Sequence, residues 1–187
     1  MKTWKDIPGF FGFGKIYDEI AINCNNSSLI VEIGSYYGRS ISYLLTRLHE
    51  LNKTPTIVCI DHFKGSEEHD QKDYYEEFKK NIASLEIPIS IKTMAISSDI
   101  ACKTFMNQSV DYLMIDASHK YEDILNDITI WKPKVKPGGI ISGDDYDWPG
   151  VKKAVHESLD SYSIELRRQH LDCTKDIYAG NYWFKQI

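Results

Sequence analysis

Short β-rich apolar runs alternate with longer amphipathic stretches along this chain, and that alternation predicts a mostly parallel sheet with helices on both faces. The runs 29–34, 56–63, 89–95, 110–117 and 139–143 have the near-continuous apolar character of strands buried on both sides. Between them, 38–51 carries Ile41, Leu44, Leu45 and Leu48 at helical spacing, and 67–85, 99–107, 121–131 and 151–159 are further helices, each serving as a right-handed crossover. The tail differs: 163–166 and 182–187 read as two final strands around a polar loop, returning antiparallel at the sheet edge. Ahead of the first strand, Pro8-Gly9-Phe10-Phe11-Gly12-Phe13-Gly14 leads into a helix over 15–23. These aromatics either cover a ligand cleft or pack against the domain or another subunit.

Composition narrows the picture without adding chemistry. The 187 residues, 42% hydrophobic and 26% charged, are expected to form a single domain over 1–187, with 1–28 lying over the cleft. A net charge of −5 without a basic block argues against nucleic acid as a partner. No apolar stretch approaches the roughly 18 residues that a membrane span requires, and the first residues lack a signal-peptide core, so a cytoplasmic location is expected. Cys24, Cys59, Cys102 and Cys173 are scattered and read as reduced thiols, with Cys59 packed in a strand. Edge strands and the aromatic N-terminal segment permit a homodimer.

In an open α/β sheet, ligands collect outside the carboxyl ends of the strands. The chemistry-bearing residues fall at those ends. Val31-Glu32-Ile33-Gly34-Ser35-Tyr36-Tyr37-Gly38-Arg39-Ser40 places two glycines four apart where strand gives way to helix. There the backbone can approach a ligand closely, and the helix start favours its anionic parts. The spacing is not that of G-x-G-x-x-G, which argues against a nicotinamide enzyme. Asp61 closes the second strand, where a carboxylate can accept both hydroxyl hydrogen bonds of a ribose. Asp116 follows the fourth strand, and Asp144-Asp145 follows the fifth. Three carboxylates brought together would repel unless a cation neutralised them, and hard oxygen donors suit Mg²⁺. The competing reading has Asp144 capping the next helix and Asp145 in solvent. His119, three residues beyond Asp116, is a candidate general base.

Taken together, these motifs resemble class I S-adenosylmethionine-dependent methyltransferases, specifically the methyltransferase domain 24 family. The resemblance spans roughly 29–157 and is also carried by Lys136-Pro137-Gly138-Gly139 and Gly143-Asp144-Asp145-Tyr146. It implies a Rossmann-like three-layer αβα fold, with a seven-stranded sheet ordered 3-2-1-4-5-7-6 and the last strand antiparallel. It further implies that Glu32, Gly34, Ser35, Gly38 and Ser40 bind the methionine part of S-adenosylmethionine and that Asp61 holds the ribose. His62 would flank the ribose, and Ser97 or Ser98 would lie near adenine. Asp116 would belong to both the cofactor and the reaction. The pattern is similar to metal-dependent O-methyltransferases, whose metal positions here read Asp116, Asp144 and Asp145. The loop Ala117-Ser118-His119-Lys120 departs from the lysine or extra acid of those relatives.

The expected reaction is O-methylation of a small-molecule acceptor, with His119 or Asp116 taking the proton and Mg²⁺ assisting. Tyr36, Tyr37, Tyr146 and Trp148 are candidate walls of the acceptor pocket. A non-catalytic S-adenosylmethionine-binding or nucleotide-binding module, and a hydroxylase-like enzyme on the same scaffold, are the competing classes.

Overall fold

The sheet is built outward from the first apolar run. The computed structural model describes residues 2–65, 71–166 and 181–187. Strand β1 (Leu29–Ile33) pairs in parallel with β2 (Thr56–Ile60) on one side and β4 (Val110–Ile115) on the other. Beyond them lie β3 (Ile91–Met94) and β5 (Val135–Gly143). The order is β3-β2-β1-β4-β5-β7-β6, with β7 (Asn181–Gln186) antiparallel to both β5 and β6 (Ser163–Leu166). This is the sheet the motifs implied.

Alternation along the strands sorts side chains between two cores. Ile30, Ile57, Cys59 and Met114 join one core with Ile16, Tyr17 and Ile20 of α1 (Gly14–Asn23), Leu44 and Leu48 of α2 (Arg39–Glu50), and Phe78 of α3 (Tyr75–Ser84). Val31, Ile33, Val58, Leu113 and Ile115 face the other core, with Ala101 of α4 (Ser98–Cys102), Ile128 and Trp131 of α5 (Tyr121–Trp131), and Val151 and Val155 of α6 (Pro149–Ser158). The layers are thus helices, sheet and helices. Among the described residues no helix is long and apolar enough to cross a membrane.

Several boundaries move for local reasons. Of the helix expected over 67–85, only α3 is helical within the described residues, and 66–70 lie outside them; Asp73 Oδ1 accepts from Tyr75 N at 2.9 Å and marks the start. The helix expected over 99–107 stops at Cys102, because Thr104 N and Phe105 N bond three residues back, to Ala101 and Cys102 carbonyls. Strand β5 begins earlier than expected, at Val135, with Pro137 inside it. The register jumps from Val110 opposite Val135 to Tyr112 opposite Ile140, so Pro137 sits where the ladder is interrupted and no N–H is needed.

Trp4, Phe11 and Phe13 pack on the domain, while Phe10 is exposed. Phe11 lies 4.8 Å from Phe13 and 5.0 Å from Tyr43 of α2, and Trp4 lies 5.3 Å from Tyr43, between ring centroids. Cys24, Cys59 and Cys102 are buried free thiols, while Cys173 falls outside the described residues.

Trp183 of β7 is fully buried, and a Cβ on Gly143 would come within 2.5 Å of its ring, so strand β5 needs a glycine there. Trp183→Ala should cost about 3–5 kcal/mol in urea unfolding. Trp183→Phe should cost clearly less, because the indole Nε1 has no hydrogen-bond partner to lose among the described residues.

Candidate active site at the carboxyl rim

Glu32 occupies the middle of the sheet, opposite Cys59 on one side and Met114 on the other. Its parity points it at α1 and α2, and it is 1% exposed. Three hydroxyls donate to its carboxylate: Tyr17 of α1, Ser35 at 2.7 Å and Ser40 at 2.8 Å. Burial pushes its pKa up, opposed by those three hydrogen bonds. Glu32 therefore holds the turn through Ser35 and Ser40. The part played by Tyr17 was not foreseen, since nothing local in sequence links it to a strand fifteen residues on.

The turn above it is held open by backbone geometry. Gly34 has φ +85°, and a Cβ there would fall 1.9 Å from the Asp116 carbonyl oxygen. No other residue allows the ends of β1 and β4 to meet this closely. Gly38, φ +87°, precedes α2 against the Phe78 ring. Asp61 completes the turn: Oδ2 accepts from Ser35 N at 2.9 Å and Tyr36 N at 2.8 Å, and Oδ1 from Phe63 N at 2.7 Å. Three backbone N–H groups thus hold the Asp61 carboxylate against the turn. His62 beside it is largely exposed, its Nδ1 accepting from Lys64 N.

Across the rim, ligand atoms of Asp116, Asp144 and Asp145 lie within 4.8 Å of one another. This places the acids of strands β4 and β5 together, as their spacing suggested. Asp145 is half-buried rather than free in solvent: it has φ +56°, and its Oδ2 lies 2.7 Å from His119 Nε2. The imidazole is further held by stacking on Trp148, at 4.5 Å between centroids and 15° between planes.

The two serines after β3 part company. Ser97 precedes α4 and donates to Asp99 at 2.6 Å. The Ser98 hydroxyl is committed to the layer behind the sheet, donating to buried Asp127 and accepting from Trp131 Nε1 at 2.8 Å. Tyr36 and Tyr37 pack with Tyr74 at 4.7 and 5.0 Å, beside the turn, whereas Tyr146 is buried against Tyr162. A separate hollow of about 430 Å³ opens near the amino ends of β4 and β5, between Gln108, Val135, Pro137 and Ile187, away from these groups.

Residues 31–146 match the family model for methyltransferase domain 24, a methyltransferase domain. The uncharacterised protein R132 of Acanthamoeba polyphaga mimivirus is 31% identical over 139 residues, which cover 68% of this chain and 57% of that protein; the chain thus spans little more than half the length of this relative. Among solved structures, an rRNA methylase from Streptococcus thermophilus is similar with a TM-score of 0.63 at 15% identity, over 94% of this chain and 95% of that one. The O-methyltransferase TomG of Streptomyces achromogenes, involved in tomaymycin synthesis and solved with S-adenosylmethionine, gives 0.62 at 16% identity, over 96% and 81%.

The Ser98–Asp127 contact generates a pH-dependent prediction. Burial raises the Asp127 pKa to about 6 despite the hydrogen bond from Ser98. The folded state then holds its proton more tightly than the unfolded chain. Stability from this group is greatest below about pH 4 and falls as pH rises through 6, by about 3 kcal/mol at most. Asp127→Asn, which keeps the acceptor for Ser98, should flatten that slope and raise the urea midpoint at pH 7.5.

Proposed function

The chain belongs to the methyltransferase domain 24 family, and we propose that it transfers the methyl group of S-adenosylmethionine to a hydroxyl oxygen of a small-molecule acceptor. The observation that carries this reading is the contact between Gly34 and the Asp116 carbonyl, which puts the glycine turn and the acidic trio on one rim. S-adenosylmethionine supplies a methyl group on a positively charged sulfur, ready for direct displacement by an oxygen.

Each residue then has a part. Ser35, Gly34 and Gly38 present backbone to the methionine moiety, and Glu32 keeps that turn in shape through Ser35 and Ser40. Asp61 holds the turn and accepts one ribose hydroxyl, with His62 flanking and Ser97 near the base. His119 takes the acceptor hydroxyl proton, while Asp145 and Trp148 fix its ring. Asp116, Asp144 and Asp145 fit a hard divalent cation by donor type and proximity. Mg²⁺ held there would supply positive charge that lowers the pKa of a nearby hydroxyl. Alignment and charge stabilisation are the two effects asked of the protein.

A net charge of −5 without a basic block favours a small molecule over a ribosomal RNA acceptor, although an rRNA methylase shares the fold. Buried free thiols suit a reducing, cytoplasmic setting.

Calorimetric titration with S-adenosylmethionine and S-adenosylhomocysteine, followed by an acceptor screen with and without Mg²⁺, tests the reading. Both should bind; absence of binding overturns it. Binding without transfer to any acceptor would favour the non-catalytic alternative. Asp144→Ala should abolish the Mg²⁺ stimulation of turnover, and activity that survives thorough chelation unchanged would remove the metal. His119→Ala should lower kcat by about 10²–10⁴ with the cofactor Kd unchanged.

A further inference from the structure

The loop that carries Asp144 and Asp145 leaves the sheet under strain. Strand β5 pairs with β7 as far as Gly143 opposite Trp183, and continuing that register would set Asp145 opposite Asn181. Asp145 instead turns to φ +56°, a conformation that costs free energy in any residue other than glycine. Asn181 then grips the loop further on: its carbonyl accepts from Tyr146 N at 2.9 Å, and its own N and Nδ2 donate to Asp147 Oδ2 and Oδ1 at 2.6 and 3.0 Å. The loop is also tied by Asp144 N to the Ile115 carbonyl at 3.2 Å, by Trp148 N to the Asp145 carbonyl at 3.0 Å, and by His119 to the Asp145 carboxylate. Asn181 thus makes three contacts with the loop from a position 34 residues beyond Asp147.

Asp147 therefore has a different task from the acids before it. Among the described residues, the carboxylates that converge are those of Asp116, Asp144 and Asp145, whereas both Asp147 oxygens are turned to Asn181. Three like charges held together are costly before a cation arrives, and an untied loop would relieve both the repulsion and the strain at Asp145 by moving its carboxylate away. A cation that meets carboxylates already in place has no such reorganisation to drive, so whatever holds the loop raises affinity. Asp147 is exposed, so its two hydrogen bonds act on where the loop sits rather than on the core. We propose that Asp147 is a positioning residue which, with Asn181, clamps the acidic loop and so sets the divalent-cation affinity of Asp116, Asp144 and Asp145. This rests on the metal-assisted reading of the site and adds what governs its cation affinity.

Mn²⁺, a hard divalent ion whose free form is read by electron paramagnetic resonance, serves as the probe. Asp147→Ala, which removes both acceptors, should weaken Mn²⁺ binding about tenfold, equivalent to about 1.4 kcal/mol. Asp147→Asn keeps one carbonyl acceptor and should be intermediate. Asn181→Ala changes no charge and loses only the Nδ2 donor, so it should weaken binding by a smaller but measurable factor. The S-adenosylhomocysteine Kd without metal and the urea midpoint should stay near wild type in all three. Equal losses in Asp147→Ala and Asp147→Asn with none in Asn181→Ala would mean that Asp147 acts only through its charge, and would overturn the clamp. Loss of Mn²⁺ binding matched by loss of S-adenosylhomocysteine binding would mark general disruption and overturn it too. Mn²⁺ binding indifferent to Asp147→Ala and Asn181→Ala overturns the clamp and spares the metal, while absence of Mn²⁺ binding to wild-type protein overturns both.

Discussion

A carboxylate in the central strand of a doubly covered sheet is tolerable only when donors surround it. Glu32 meets that condition with three hydroxyls drawn from three places: Tyr17 on the helix before the sheet, Ser35 on the turn after β1, and Ser40 on the first turn of α2. The requirement ties the N-terminal helix, the glycine turn and the helix behind it into one unit. Removing any donor leaves part of a buried charge unmatched, so the shape of the ligand-facing backbone is coupled to packing well away from it.

The rim itself stores strain. Tyr36, Phe63 and Asp145 all adopt positive φ without being glycine, and they follow β1, β2 and β5. Such conformations cost free energy and persist where surrounding contacts over-determine them. Here the contacts are visible: Asp61 binds the N–H groups of Tyr36 and Phe63, and His119 binds Asp145. Where glycine is used instead, at 34 and 150, it serves close approach of one backbone to another rather than flexibility. The acids and the turn are therefore brought together by steric permission as much as by attraction.

The sheet was legible because burial on both faces leaves a near-continuous apolar signature, and because each crossover helix carries its own period. Tyr121–Trp131 matches the expected span, while α4 is shorter because Thr104 and Phe105 turn to three-residue bonding, which no periodicity reports. β5 is longer because an interrupted register accommodates Pro137, a residue that normally argues against a strand. At the site, the acids of β4 and β5 could be paired from their positions at strand ends. The split between Ser97 and Ser98 could not, since adjacent residues at a helix start point to different layers only once α5 has packed.

From sequence alone come the strand order, through family resemblance, and the placing of acids and glycines at strand ends, because a period of two and a sheet buried on both faces constrain every parallel strand alike. Only tertiary structure decided the depth of Glu32, the three backbone donors gathered on Asp61 and the stack of Trp148 on His119. Those depend on which distant groups compete for the same lone pairs and the same surface, and such competition has no counterpart along the chain.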